Sequence, residues 1–294
     1  MAPASLTVGL VQLSVGDDPA ANLQTTIPLI REAAASGAGL ILTPEATNIL
    51  SPSRDRQRAV LEPEHRDRTL AALRTEARRA RAWLMVGSLA LLTDDPDGRF
   101  ANRSLLIAPD GTVAARYDKL HMFDVTISPT ESFRESAAYR PGDRAVVADA
   151  GGVRLGMTVC YDLRFPHLYR RLAQAGAQLL TVPSAFHPET GAAHWEVLLR
   201  ARAIETGCFV LAPAQCGTHP CPHSPDRTPR RSHGRSLVVD PWGKVLADGG
   251  TEPGVTTVSL DLQAVGDARS RIPSLTHDRP FAGPRGYDET CEPQ

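Results

Sequence analysis

The chain has 294 residues, 32 of them basic and 33 acidic, giving a formal charge of −1 and an isoelectric point near 6.8. That balance excludes a polycationic nucleic-acid module, which needs clustered surplus cations to displace counterions, and a composition 42% apolar and 22% charged excludes a disordered chain. No apolar run approaches the roughly 20 residues that cross a bilayer, so no membrane segment is expected. The five cysteines, Cys160, Cys208, Cys216, Cys221 and Cys291, are odd in number and scattered. They suggest a reducing compartment rather than a disulfide framework, and with no leader pattern at the N-terminus the expectation is a cytoplasmic protein. Positive charge is carried by 30 arginines against only two lysines, Lys119 and Lys244. Genome composition accounts for such a bias, but lysine is a compact point charge where arginine is a broad planar fork, so the neighbours of each lysine decide its meaning.

The chain opens with Leu6 to Leu13, apolar and β-branched, which reads as a buried strand. Asp17, Asp18 and Pro19 end it, and a helix is expected from about Ala20 to Ala35, stopping at Gly37. Leu40 to Thr43 is a second buried strand, closed by Pro44, with Glu45 just beyond its C-terminal end. Between Glu64 and Arg81, Leu70, Leu73, Ala77 and Ala80 recur at helical spacing with arginines and glutamates on the other face. Trp83 to Leu89 reads as a strand, and Ser104 to Tyr117 as a hairpin turning at Asp110-Gly111. Farther on, Val153, Leu155, Met157 and Val159 alternate with smaller or polar residues up to Cys160. A helix starts at Pro166 and stops at Gly176. Leu179 to Val182 is a strand, Ala193 to Thr206 a helix, Cys208 to Pro213 a strand, and Ser236 to Ala247 a hairpin resembling the one at Ser104, which hints at internal pseudo-symmetry. Alternating strands and helices predict one layered α/β domain over residues 1–294, helices outside sheets, with a core of about 5–272. Gly217 to Arg235 reads as an inserted surface loop, and 273–294 as an irregular tail that packs on a partner subunit.

Three reactive groups stand at element ends, where a rigid scaffold positions functional side chains. Cys160 lies in a sharp strand-to-helix connection, where nearby backbone N–H groups favour a thiolate and leave donors for an oxyanion; a buried structural cysteine is the bland alternative. The nine histidines offer no decisive base. Glu45, in Thr43-Pro-Glu-Ala-Thr47, is a carboxylate at the end of an apolar strand, where desolvation suits a general base, unless it is a capping or surface glutamate. Lys119, in Tyr117-Asp-Lys-Leu-His121, offers a compact cation for an oxyanion, or is an ordinary solvated lysine.

Together these residues resemble the nitrilase superfamily of carbon-nitrogen hydrolases, whose catalytic Glu-Lys-Cys set is matched by Glu45 in Thr-Pro-Glu, Lys119 in Tyr-Asp-Lys-Leu-His and Cys160 in Val-Cys-Tyr-Asp-Leu-Arg-Phe-Pro. The resemblance covers about Thr7 to Arg279. It implies a four-layer αββα sandwich that dimerises face to face, and a second glutamate, matched by Glu135 in Phe133-Arg-Glu-Ser136, that orients Lys119. It implies hydrolysis of a small amide through a cysteine thioester, with the Tyr161 backbone N–H helping to bind the oxyanion and no metal or organic cofactor required. Pro183-Ser-Ala-Phe186, Thr190-Gly191, Ala193 to Glu205 and Ala214-Gln-Cys-Gly217 look most like the deaminated glutathione amidase branch, with the omega-amidase branch close by. In those branches the residue matching Arg164 grips a substrate carboxylate, and those matching Phe186 and Thr190 line the pocket. The proline- and arginine-rich stretch Thr218 to Ser232 departs from the branch, so it is where substrate choice is open. A nitrilase proper, an N-carbamoyl amino acid hydrolase and a catalytically idle binding subunit are the alternatives. Cys216, His219, Cys221 and His223 have zinc-compatible side chains, but their spacing matches no usual ligand pattern and Pro220 and Pro222 restrict convergence, so no metal site is expected.

Overall fold

The computed structural model describes residues 3–129 and 131–282. Two six-stranded sheets form its centre. In the first, β1 (Ser5–Gln12), β2 (Leu40–Leu42) and β3 (Trp83–Leu91) run parallel. β4 (Ala101–Ile107) and β5 (Val113–Asp118) extend the sheet antiparallel past β3, and β16 (Gly254–Asp261) closes the other edge against β1. The second sheet repeats that plan. β9 (Arg154–Met157), β10 (Leu179–Thr181) and β11 (Phe209–Ala212) are parallel, β14 (Leu237–Val239) and β15 (Val245–Asp248) extend past β11, and β8 (Val146–Asp149) pairs antiparallel with β9. The hairpins at Ser104 and Ser236 thus occupy corresponding places in two halves, which is the origin of their likeness.

Residue alternation divides the interior. Leu40 and Leu42, Met85 and Leu106 face the second sheet and join Leu155, Met157, Val182 and Leu211 in one core. Ile41, Leu84, Val86, Leu105 and Ile107 point the other way, onto Ile30 and Ala33 of α1 (Pro19–Ala35) and Leu70, Leu73 and Ala77 of α3 (Arg68–Ala80). Successive strand residues face opposite sides of a sheet, so a strand buried on both faces must be apolar throughout, as these are. On the second sheet, Leu168, Tyr169 and Leu172 of α4 (Pro166–Gln174) and Trp195, Leu199 and Ala203 of α5 (Pro188–Thr206) complete the outer layer. The architecture is the expected αββα sandwich.

Several elements lack a clear sequence signal. α2 (Arg54–Val60), the hairpin β6 (Asp124–Ser128) and β7 (Glu131–Arg134), the edge strands β8 and β16, and α6 (Gln263–Arg271) are short or half-exposed. α5 begins at Pro188 instead of Ala193, because proline at the first position and Glu189 in the first turn start it earlier. α3 begins at Arg68, where Asp67 accepts from the Leu70 N–H at 2.7 Å as its N-cap.

The stretch 217–235 is more than a surface loop. β12 (Cys216–Thr218) and β13 (Arg231–His233) pair across its base, and His219 turns inward, its Nδ1 2.8 Å from the Val15 carbonyl and its Nε2 2.8 Å from Ser232 Oγ. Both ring nitrogens are thereby engaged. Burial pushes this imidazole down to about 4, so it is neutral at pH 7. In the tail, the 3-10 turn Ser274–Thr276 lies against α4, where Arg170 and Gln174 both reach Asp278. Residues 283–294, including Cys291, lie outside the described residues. Among the described residues no helix is long and apolar enough to cross a membrane.

Gly87 in β3 lies tight against the turns that follow β2 and β10. A Cβ there would lie 2.1 Å from the Thr43 carbonyl oxygen and 2.5 Å from both Pro183 Cβ and the Pro44 carbonyl carbon. Gly87→Ala is expected to destabilise the fold by about 1–3 kcal/mol through overpacking and to lower activity by displacing the segment that carries Glu45; thermal unfolding together with an amide-hydrolysis assay checks both.

Candidate active site

Glu45, Lys119 and Cys160 each follow a strand of one six-stranded sheet or the other, whereas Glu135 begins the 3-10 turn Glu135–Ala137 after the separate β6–β7 hairpin. Glu45 stands in the turn after β2, Lys119 directly after β5, Cys160 after β9 and Ala185 after β10. At Cys160 the backbone adopts φ +48°, a left-handed conformation unusual for a residue with a side chain. Such strain persists only where surroundings enforce it. Here the Cys160 N–H donates to the Pro183 carbonyl at 3.0 Å, and Asp162 Oδ2 accepts from the Val159 N–H at 2.9 Å. The 3-10 turn Cys160–Arg164 follows. Among the described residues the Tyr161 N–H, at its start, makes no hydrogen bond.

Lys119 is 2% exposed and lies between two carboxylates. Its Nζ is 3.1 Å from Glu45 Oε1 and 3.0 and 2.8 Å from the two oxygens of Glu135. Asn102 on β4 donates to Glu45 Oε1 at 2.9 Å and to Glu135 Oε1 at 3.2 Å. The Ala185 N–H reaches Glu45 Oε2 at 2.9 Å, and the Phe123 N–H reaches Glu135 Oε2 at 2.6 Å. Gln215 fixes the Glu45 backbone by donating to its carbonyl at 2.9 Å. A buried charge is tolerated only when paired and hydrogen-bonded, and both carboxylates meet that condition.

The electrostatics assign the resting protonation states. Burial alone would raise the Glu45 carboxyl, but the Lys119 charge and hydrogen bonds from Cys160, Ala185 and Asn102 outweigh it, so the group lies below its ordinary 4.5. Burial alone would lower the Lys119 ammonium, yet the flanking Glu135 and Glu45 hold it well above its ordinary 10.5. Burial, then the Glu45 charge, push the Cys160 thiol far above its ordinary 9.0, opposed by Lys119. The resting site is therefore a carboxylate, an ammonium and a neutral thiol beside the carboxylate. The nearby N–H groups do not suffice to ionise the thiol, contrary to expectation from the strand-to-helix turn alone.

These groups open onto a cavity of about 760 Å³, whose lining includes Glu45, Lys119, Glu135, Cys160, Tyr161, Phe186 and Thr190. Arg164 is not among the lining residues. Its guanidinium carbon lies 5.9 Å from the centroid of the Tyr161 ring and 5.5 Å from that of Phe186, two rings that do line the cavity, and Nη1 is 3.3 Å from His194 Nδ1. Phe186 is buried against Trp195, with centroids 5.0 Å apart. Sequence reasoning missed Asn102, Gln215, and the lining residues Arg54, Gln57, Tyr139 and Arg230. Asn102 and Gln215 stand two residues outside the segments Ser104 to Tyr117 and Cys208 to Pro213 that read as strands, so neither carried a distinct signal.

The carbon-nitrogen hydrolase family model matches residues 7–270. The chain belongs to the carbon-nitrogen hydrolase family. It is 38% identical to the deaminated glutathione amidase of Yersinia enterocolitica over 274 residues, 92% of each chain. Among solved structures, the Caenorhabditis elegans NitFhit protein superposes with a TM-score of 0.85 at 34% identity, over 95% of this chain but only 66% of that longer one. A variant amidase from Nesterenkonia sp. AN1, carrying acrylamide added at its active-site cysteine, superposes with a TM-score of 0.72 at 30% identity, over 91% of this chain and 98% of that one. As a carbon-nitrogen hydrolase of this nitrilase-superfamily type, the protein is an amide-hydrolysing enzyme.

One further residue ties the hydrolase's elements together. Asp162, fully buried, accepts from the Tyr117 hydroxyl at 2.6 Å and the His121 N–H at 3.0 Å, sits 2.7 Å from His121 Nδ1, and holds Val159. It therefore joins the strand ends that carry Lys119 and Cys160. Asp162→Asn removes a buried charged acceptor, so unfolding free energy should fall by about 2 kcal/mol or more, and iodoacetamide should alkylate Cys160 more slowly than in an equally destabilised Leu73→Ala control. The thiol's raised pKa makes a second prediction: between pH 6 and 9 the alkylation rate should keep rising about tenfold per pH unit with no plateau, because the reactive thiolate stays a small fraction throughout; mass of the adduct measures it, and a profile flat from pH 6 would refute the resting thiol.

Proposed function

We propose that the enzyme hydrolyses a small carboxylate-bearing amide of the deaminated glutathione type through a thioester on Cys160. The observation that carries this reading is the placing of Glu45, buried, hydrogen-bonded to Lys119 at 3.1 Å and close enough to Cys160 for its charge to hold the thiol protonated. Glu45 takes the thiol proton as Sγ forms a bond to the amide carbonyl carbon. Lys119 and the Tyr161 N–H stabilise the oxyanion, while Glu135 and Asn102 hold Lys119 and Glu45 in place. As the tetrahedral species collapses, the C–N bond breaks and Glu45 returns the proton to the departing amine or ammonia. Glu45 then deprotonates water, which attacks the thioester; the C–S bond breaks, the proton returns to the sulfur and a carboxylic acid leaves. No step calls for a metal or organic cofactor. Proton transfer from thiol to carboxylate inside the reaction, in place of a preformed thiolate, fits the raised thiol and the lowered carboxyl.

The substrate class rests on the relatives named for deaminated glutathione amidase. Omega-amides, N-carbamoyl amino acids and nitriles are the alternatives, and ammonia release from each class separates them. Phe186 and Thr190 support the reading as part of the cavity wall, and Arg164 supports it less directly, through its contacts with the Tyr161 and Phe186 rings. We further place the enzyme in the cytoplasm as a homodimer. Four free described cysteines suit a reducing compartment, and the exposed Ile204, Trp242 and Ile272 beside an apolar cavity suit a subunit contact.

Cys160→Ala should abolish turnover with the fold intact, and the wild-type enzyme quenched during turnover should carry the acyl mass on Cys160. Lys119→Arg should lower kcat about 100-fold or more, because the broader guanidinium does not fit between Glu45 and Glu135; near-normal turnover would refute the need for a compact cation. Activity should persist down to below pH 4.5 before Glu45 protonation removes the base, provided the protein remains folded, as followed by a pH–rate profile with circular dichroism.

A further inference from the structure

The cavity holds more positive charge than the reaction uses. Arg54, at the start of α2, and Arg230, in the segment leading to β13, both line it. Neither guanidinium has a hydrogen bond or ion pair among the described residues, and Arg54 Nε is buried without a partner. Other lining charges are accounted for. Glu131 meets His187 at 3.1 Å, Arg134 donates to the Phe133 carbonyl at 2.9 Å, and Glu45, Lys119 and Glu135 pair with one another. Glu189 and Arg231 are exposed at the rim.

The elements that carry the two arginines meet at Tyr139. Gln57 lies three residues after Arg54, on the same face of α2, and donates to the Tyr139 hydroxyl at 2.7 Å. Arg230 is close enough to that same tyrosine to favour its ionised form electrostatically, and its guanidinium carbon is 5.5 Å from the centroid of the Phe133 ring. The catalytic trio carries two carboxylates for one ammonium, so an anion would not be drawn to Cys160 itself. It would be drawn to the unpaired guanidiniums, whose planar forks suit a bidentate carboxylate. A part-buried cation left without a partner is costly, and a ligand carboxylate removes that cost.

We propose that Arg54 and Arg230 form a carboxylate subsite in the same cavity as Cys160, so that the enzyme selects amides bearing a carboxylate remote from the scissile bond. This rests on the amidase reading and adds to it which residues read the substrate. The proline- and arginine-rich segment 218–232 then has a role: it delivers one of the two cations.

The test compares linear amides ending in a carboxylate with equally long amides ending in a hydroxymethyl group, using wild type, Arg54→Gln, Arg230→Gln and the double variant. Wild type should favour the carboxylate member about 100-fold in kcat/KM. Each single variant should cut that preference about tenfold, mainly through KM, and the double variant should erase it, with the neutral amide hydrolysed at an unchanged rate. Arg→Lys replacements should recover part of the preference. Parallel loss on both substrates, or a preference that survives in the double variant, overturns the subsite. Calorimetric binding of the same two amides to Cys160→Ala, with and without the arginine changes, reads the subsite independently of turnover: tighter carboxylate binding that disappears with the arginines supports it, and equal affinities overturn it. Failure of wild type to release ammonia from any amide would count against the amidase reading instead.

Discussion

A single ammonium buried between two carboxylates governs this site. Lys119 neutralises only one of the two negative charges around it, so the Glu45–Lys119–Glu135 group keeps a net negative charge away from water. Such a group survives only because every oxygen has a donor: Asn102 serves both glutamates, the Ala185 N–H caps one and the Phe123 N–H the other. Burial and, after it, the same surplus negative charge decide the chemistry of its neighbour. A thiolate beside it would add a further uncompensated charge, so Cys160 rests as a thiol, and nucleophile formation is coupled to the step in which a carbonyl oxygen takes up negative charge near Lys119. The buried salt bridge thus sets reactivity more than stability, consistent with the small net contribution expected of such pairs.

The sandwich is what makes so dense a charge cluster possible. Glu45, Lys119 and Asn102 come from one sheet and Cys160 and Ala185 from the other, so the site is assembled across the layer between the sheets and cannot form from either half alone. Polar ties cross the same layer: Gln12 accepts from both the N–H and the hydroxyl of Ser236, and Gln215 receives the Val15 N–H while holding Glu45. Close approach at Gly87 lets the turns after β2 and β10 touch. Asp162 adds a cross-link between the segment after β5 and the nucleophile turn. Rigidity of this kind is what a reaction needs when its base, cation and nucleophile must keep hydrogen-bond distances.

Legibility in the sequence followed burial. β2, β3, β10 and β11 are apolar on both faces, and their runs of leucine, isoleucine and valine were readable without a structure, as was the amphipathic α3. The hairpin pair at Ser104 and Ser236 correctly signalled the duplicated sheet plan. By contrast, β8, β16 and the β6–β7 hairpin are edge or exposed elements whose mixed composition resembles loop, and the stretch 217–235 looked like surface because proline, arginine and histidine dominate it, although His219 is buried to seal its base. A histidine turned inward has the same letter as one turned out; only the Val15 carbonyl and Ser232 hydroxyl that receive it make the difference.

By itself the sequence determined the layered α/β class, the order of the Glu45, Lys119 and Cys160 motifs and the chemistry those side chains can perform, because periodicity and residue type are local properties. Only the tertiary structure decided how those groups are charged and what surrounds them. The protonation state of Cys160 depends on its distance from Glu45 and Lys119, both far away in the chain. Arg164, matched to a carboxylate grip by motif, packs on the rings of Tyr161 and Phe186 without lining the cavity, whereas Arg54 and Arg230, in segments with no motif, line it. Coulomb energy and desolvation are functions of distance and burial, and neither is written in the order of residues.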